Sequence, residues 1–187
     1  MNESKEYSAV IDYIYSLGYF WQSFNALELH LRIYLNKKNG NNSSHVFKYT
    51  NMSIGDECDE NAITDYKTFS NLCDLFNGYQ SKEQKIDFKE ILDLRDALAH
   101  GRVLGDKDGN MVVIKYSLPK ENKVTVKYKR DLNILRGMAE KISQLGMEIS
   151  LKGGAKKLWS WLNILSIIII KTYTLLKTLI VIQTIKT

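Results

Sequence analysis

The chain has 187 residues, enough for one domain of ordinary size and an appendage. One proline and eleven glycines argue against a loop-rich or disordered chain, and two cysteines, Cys58 and Cys73, are too few for a disulfide scaffold or a zinc site. The net charge of +5 is no nucleic-acid signal for the body: 26 Lys+Arg face 21 Asp+Glu, and Lys156, Lys157, Lys171, Lys177 and Lys186 all follow Ala155, so residues 1–155 hold 21 of each sign.

The opening MNESKEYSAV has no basic start followed by an apolar run, so no secretory signal is read and both thiols are expected reduced in an intracellular, cytoplasmic setting. Lys5 to Asn36 then reads as a long amphipathic helix, with Tyr7, Ile11, Ile14, Trp21, Phe24, Leu31 and Leu35 at steps of three, four and seven. KKNGNNSS, from Lys37 to Ser44, is a polar loop with an Asn-Gly pair, and His45 to Asn61 is irregular. Thr64 to Phe76 places Phe69, Leu72, Cys73 and Phe76 at helical spacing, with Asn77-Gly78 as a stop. Ser81, followed by Gln84, resembles an N-cap with a capping-box partner, opening a third helix with Ile86, Ile91, Leu94 and Leu98 and ending at Gly101.

The period then changes. Met111 to Leu118 and Val124 to Lys129 alternate every second residue, which predicts a β-hairpin between helices. Asp131 is expected to cap a fourth helix bearing Leu132, Leu135, Met138, Ile142, Leu145 and Ile149 on one face, ended by Lys152-Gly153-Gly154. The expected fold class is therefore mainly α: a bundle of about four helices over residues 1–152, a hairpin inserted at about 111–129, and a separate apolar tail over 153–187. His30 and His45 show no partner pattern and read as structural or surface residues.

The tail is different in kind. Leu158 to Thr187 has no acid, and its longest uncharged run, Leu158 to Ile170, is 13 residues, against the roughly 20 that a spanning helix needs. Three readings stand side by side. One is membrane association, with Trp159 and Trp161 at the interface and Lys156-Lys157 on the cytoplasmic flank. The others are a helix packed on the body or a partner, and a segment outside the functional fold, as out-of-frame translation would give.

The third helix ends LRDALAHGR. Asp96 and His100 are an i, i+4 pair, so the carboxylate can accept from the imidazole, and the negative helix terminus favours the charged ring. Arg95 lies about 140° round the helix from His100, so one helix cannot turn both toward one phosphate unaided. A guanidinium is a natural bidentate phosphate clamp. By spacing alone the same residues also fit a solvated helix end. Glu28 sits on the apolar stripe of the first helix and requires a partner, for which Arg95 is the expectation. Arg102, just past Gly101, is a further phosphate contact or a solvated loop residue. Lys115, Lys120, Lys123, Lys127, Lys129, Arg130 and Arg136 face only Glu121 and Asp131. Within that excess, Lys127 and Lys129 share a strand face that fits a phosphate backbone or guards an exposed edge.

Arg95-Asp96-Ala97-Leu98-Ala99-His100 fits R-x4-H and resembles the signature of HEPN domains, with a polar residue directly after the arginine. A long first helix, the motif at the end of a later helix and a closing helix are similar to that family over roughly residues 5–150. The resemblance implies a metal-independent, cofactor-free endoribonuclease of toxin–antitoxin or phage-defence type. Two motifs would face each other across a homodimer, and the RNA 2′-OH would attack the adjacent phosphorus to leave a 2′,3′-cyclic phosphate. It implies Arg95 on the phosphate, His100 as general acid or base, Asp96 orienting it, and an antitoxin or other regulatory protein as partner. Some family toxins carry a tyrosine two residues after the histidine that a nucleotidyltransferase antitoxin modifies; here that position is Arg102. The rival reading is a non-catalytic HEPN-like domain binding nucleotide, RNA or protein.

Overall fold

A computed structural model describes residues 3–40, 51–108, 110–121 and 123–153, with side chains from Val10 onward. Four helices form the body: α1 (Glu3–Lys38), α2 (Phe69–Gly78), α3 (Lys89–His100) and α4 (Leu135–Gly153). Between α3 and α4 lies an antiparallel sheet of β1 (Arg102–Gly105), β2 (Met111–Tyr116) and β3 (Val126–Asp131), in that order. The chain is mainly α, and the expected hairpin is present as the β2–β3 pair, with β1 added at its edge to make a three-stranded sheet. The tail from residue 154 and His45 lie outside the described residues. Among the described residues, no helix is long and apolar enough to cross a membrane.

The 36-residue α1 is about 54 Å long and serves as the spine. Its buried stripe is Phe20, Phe24, Leu27, Leu31 and Tyr34, at alternating steps of four and three. Ile14, expected on the apolar face, is 60% exposed, because that face runs through Phe20 and Leu27. Helix α4 lies along this stripe with Leu135, Met138, Ile142 and Ile149 buried and Leu145 partly so, as its periodicity predicts. Two polar pairs fix the direction: Ser143 donates to or accepts from Ser23 at 3.0 Å, and Ser150 Oγ shares a 2.5 Å hydrogen bond with His30 Nδ1. Both join residues 120 positions apart, so α1 and α4 run side by side in the same direction. Gly146 permits this closeness, since a Cβ there would stand 2.8 Å from the His30 ring.

Helix α2 begins at Phe69, later than its apolar spacing suggests. Thr68 caps it, its hydroxyl accepting from Asn71 N at 3.3 Å. The preceding residues 61–67 are instead a strap held to α1 by Arg32, which donates to the carbonyls of Ala62, Asp65 and Lys67 and to the Asp65 carboxylate. Ser81 does not cap α3. It precedes a single 3₁₀ turn, Lys82–Gln84, and α3 starts at Lys89, whose N–H is taken by Asp87 Oδ1 at 2.8 Å. Ile86 stays out of the helix because the Asn77 side-chain amide bonds both its N–H and its carbonyl, each at 2.9 Å. Asp131 does cap, accepting from Asn133 N at 2.8 Å at the 3₁₀ turn that leads into α4.

Candidate functional site

Helix α3 places the candidate residues on its last turn and a half. Ile91, Leu94 and Ala97 are its buried side, pressed into the core, which leaves Arg95 and Asp96 at the boundary and His100 at the exposed end. The chain leaves α3 through Gly101 straight into β1. Gly101 has an ordinary extended backbone (φ −86°), so its role is not the left-handed cap that its position suggests. A Cβ on it would stand 2.4 Å from the Ala97 carbonyl oxygen and 2.8 Å from that of Ile114, so only a hydrogen side chain lets β2 close against the helix end.

That closure builds the site. Lys115, on β2, reaches α3 and its ammonium grips Asp96 Oδ2. The other oxygen, Asp96 Oδ1, lies 3.8 Å from His100 Nε2. Asp96 therefore stands between a fixed cation and an imidazole that is 63% exposed. On the same face of the sheet, Arg130 binds Glu90 of α3 at 2.8 Å, and Lys141 of α4 reaches the other oxygen of that carboxylate at 2.9 Å. These two cations draw Glu90 below the usual carboxylate range.

Arg95 turns the other way, as the helical angle requires. Its guanidinium lies over the Phe24 ring of α1, 5.9 Å from the centroid, and its buried Nε has no hydrogen-bond partner among the described residues. It lines an open cleft of about 540 Å³ with Glu28, Lys67, Thr68, Phe69, Ser70, Leu92, Asp93 and Asp96. Glu28 shares this cleft with Arg95 but pairs with Arg32, at 2.9 Å from NH2 and 3.1 Å from Nε, one helical turn away on α1. The expected Glu28–Arg95 pair is thus replaced by a local i, i+4 pair between Glu28 and Arg32. Asp96 is the residue common to both sides: it borders the cleft of Arg95 and neighbours His100, which does not line that cleft.

Arg102 is exposed on β1, its NH1 3.3 Å from its neighbour's carbonyl, Gly101 O. In the sheet register Arg102 stands opposite Ile114, and Ile114 opposite Lys129, so the two cations flank one row on the face turned away from Lys115 and α3. Lys127, also exposed, sits where the β2–β3 register shifts beside Tyr116. Burial pushes the Cys73 thiol up to about 12, which makes it a poor nucleophile, and Cys58 is a free, exposed thiol away from the site residues in sequence. Among the described residues, no group of three His, Cys, Asp or Glu side chains forms a metal-ligand cluster.

From the sequence, Arg32 is not singled out, and Lys115 stands only within a basic excess, without its partner Asp96. Arg32 had a readable signal, since it lies four residues after Glu28. The pairing of Lys115 with Asp96 had none, because it depends on strand register and on how the sheet closes against α3. No protein-family model, curated protein or solved structure matches the chain.

Proposed function

We propose that this protein is a HEPN-like endoribonuclease of toxin–antitoxin or phage-defence type, cleaving RNA by attack of a 2′-OH on the adjacent phosphorus without a metal. The observation that carries the reading is the end of α3: an R-x4-H segment in which Asp96 lies between Lys115 and His100 while Arg95 presents an unbonded buried Nε at an open cleft. His100 then moves the proton on or off the reacting oxygens, Asp96 orients its ring, and Arg95 binds the phosphate and offsets the charge that grows in the phosphorane. Arg95 and His100 diverge on one chain, so the active unit is a homodimer in which the His100 of one protomer meets the Arg95 side of its partner. Arg102 and Lys129 carry the RNA backbone across the outer face of the sheet, with Lys127 at the register shift beside them. An antitoxin or another regulatory protein restrains the activity.

The test is cleavage of a mixed RNA pool in EDTA, with the product ends analysed. Wild type yields cyclic-phosphate ends, and His100→Ala and Arg95→Ala each slow cleavage by about 100-fold or more. Cleavage retained by both variants sinks the proposal. One observation favours a second reading, a non-catalytic nucleotide-binding domain: Arg95 is stacked on Phe24 in the cleft, apart from His100. Tight nucleotide binding with no cleavage by wild type would establish that reading instead.

A further inference from the structure

The proposed reaction uses Arg95, Asp96 and His100 and leaves most of the cleft wall without a task. The charge of that wall rules out a plain phosphate pocket: two cations, Lys67 and Arg95, face three carboxylates, Glu28, Asp93 and Asp96. Lys67 is already held by Asp65 at 2.5 Å, outside the lining. The carboxylates are incompletely used. Glu28 receives both Arg32 nitrogens on Oε1, and Asp93 receives Lys89 on Oδ2, so Glu28 Oε2 and Asp93 Oδ1 have no partner among the described residues. Thr68 and Ser70 add hydroxyls to the wall, and the cleft keeps these two carboxylate oxygens beside one guanidinium. Phe69 and Leu92 add apolar wall, and about 540 Å³ falls within the range of small-ligand sites.

An unpaired nucleobase beside its phosphate has the complementary pattern. Single-stranded RNA bases are read on their Watson–Crick edges and against apolar or aromatic walls. Guanine carries two adjacent donors on that edge, N1–H and N2–H₂, which call for two acceptor oxygens, one from each carboxylate: Glu28 Oε2 and Asp93 Oδ1. Adenine, cytosine and uracil each offer one donor group there, beside an acceptor that a carboxylate repels. We propose that the cleft between α1, the start of α2 and α3 is a base-reading subsite. It takes one unpaired guanine, with Glu28 and Asp93 accepting its donor edge and Arg95 holding the neighbouring phosphate. This inference rests on the ribonuclease reading for its substrate class, and it makes the enzyme selective for guanine at one position next to the cut.

The experiment uses the full chain and fluorescent deoxyuridine tetramers carrying one guanine, adenine or cytosine, or none. Without a 2′-OH these probes bind but cannot be cut, so binding is read apart from catalysis. The guanine tetramer is expected to bind at least tenfold tighter than the others. Asp93→Asn and Glu28→Gln are each expected to cut that preference at least threefold, while Arg95→Ala weakens all four tetramers alike. Asp93 is 43% exposed, so its variant keeps the fold even if Glu28→Gln loosens Arg32. Equal binding of the four tetramers, binding of none, or a preference that survives Asp93→Asn overturns the subsite. RNA cleavage by wild type with base-blind binding removes the subsite and leaves the ribonuclease. Guanine-selective binding without any RNA cleavage removes the ribonuclease and leaves the subsite.

Discussion

Arg95 is the residue at which stability and function pull apart. A buried donor without a partner costs on the order of 1–3 kcal/mol, and here the donor is Nε, above the Phe24 ring. Arg95→Met keeps the apolar stem over Phe24 and removes the orphan group. We expect it to leave urea-unfolding stability unchanged or raise it by about 1 kcal/mol, while RNA cleavage and tetramer binding collapse. A clear loss of stability would mean that the guanidinium is structural. Gly101 is the opposite case, indispensable to the fold and chemically silent. Its missing Cβ is what lets Ile114 and Val113 approach the helix end, so Gly101→Ala is expected to cost about 2 kcal/mol or more in chemical denaturation. It should also draw Lys115 away from Asp96, because both depend on the same closure of β2 on α3.

At the scale of elements, the strap over residues 61–67 shows how one side chain replaces secondary structure. Arg32 is 12% exposed and holds three strap carbonyls and the Asp65 carboxylate, itself 5% exposed. Arg32→Met would leave that carboxylate to Lys67 alone. The expected loss is about 3 kcal/mol, with faster amide exchange across residues 61–67, since removing one partner of a buried pair costs more than the pair contributes. Unchanged exchange in the strap would show that Asp65 and Lys67 suffice. The same segment explains what was legible beforehand. The four helices and the β2–β3 pairing follow from local periodicity, and Asp131 caps where expected. The true starts of α2 and α3 do not follow from it, because Arg32 and Asn77 claim the backbone of residues 61–67 and of Ile86 from a distance. Strand β1 escaped for a related reason: four residues, mostly exposed, carry no alternation strong enough to read, and their order comes from pairing with β2. Within the candidate site, Arg95, Asp96 and His100 were visible as a motif. The Lys115–Asp96 pair and the cleft wall beyond Glu28 were not, since they exist only once the sheet and α2 have been placed around α3.

The whole molecule is organised on the α1–α4 pair, and that pair contains a titratable group. His30 is 6% exposed, packed on Gly146 and hydrogen-bonded to Ser150, and burial lowers its pKa from 6.5 to about 4. Between those two values the unfolded chain binds a proton that the folded chain refuses. Stability from the neutral ring is therefore fully present above about pH 6.5, falls as the pH drops, and stops falling below about pH 4. That lowering corresponds to roughly 3 kcal/mol of stability. Burial tends to raise the Asp65 carboxyl, but its bonds to Lys67 and Arg32 outweigh that and hold it below its ordinary value. Its contribution is thus present above about pH 3.8 and is lost further down, below the histidine window. Urea unfolding of wild type and His30→Gln from pH 7.5 to 4 separates the two. Wild type is expected to lose stability steeply through pH 6 to 4.5, while His30→Gln starts lower but follows a flatter line. Parallel curves would mean that the ring takes up its proton in place, and that the α1–α4 seam admits the charge which its packing around Ser150 and Gly146 is built to keep out.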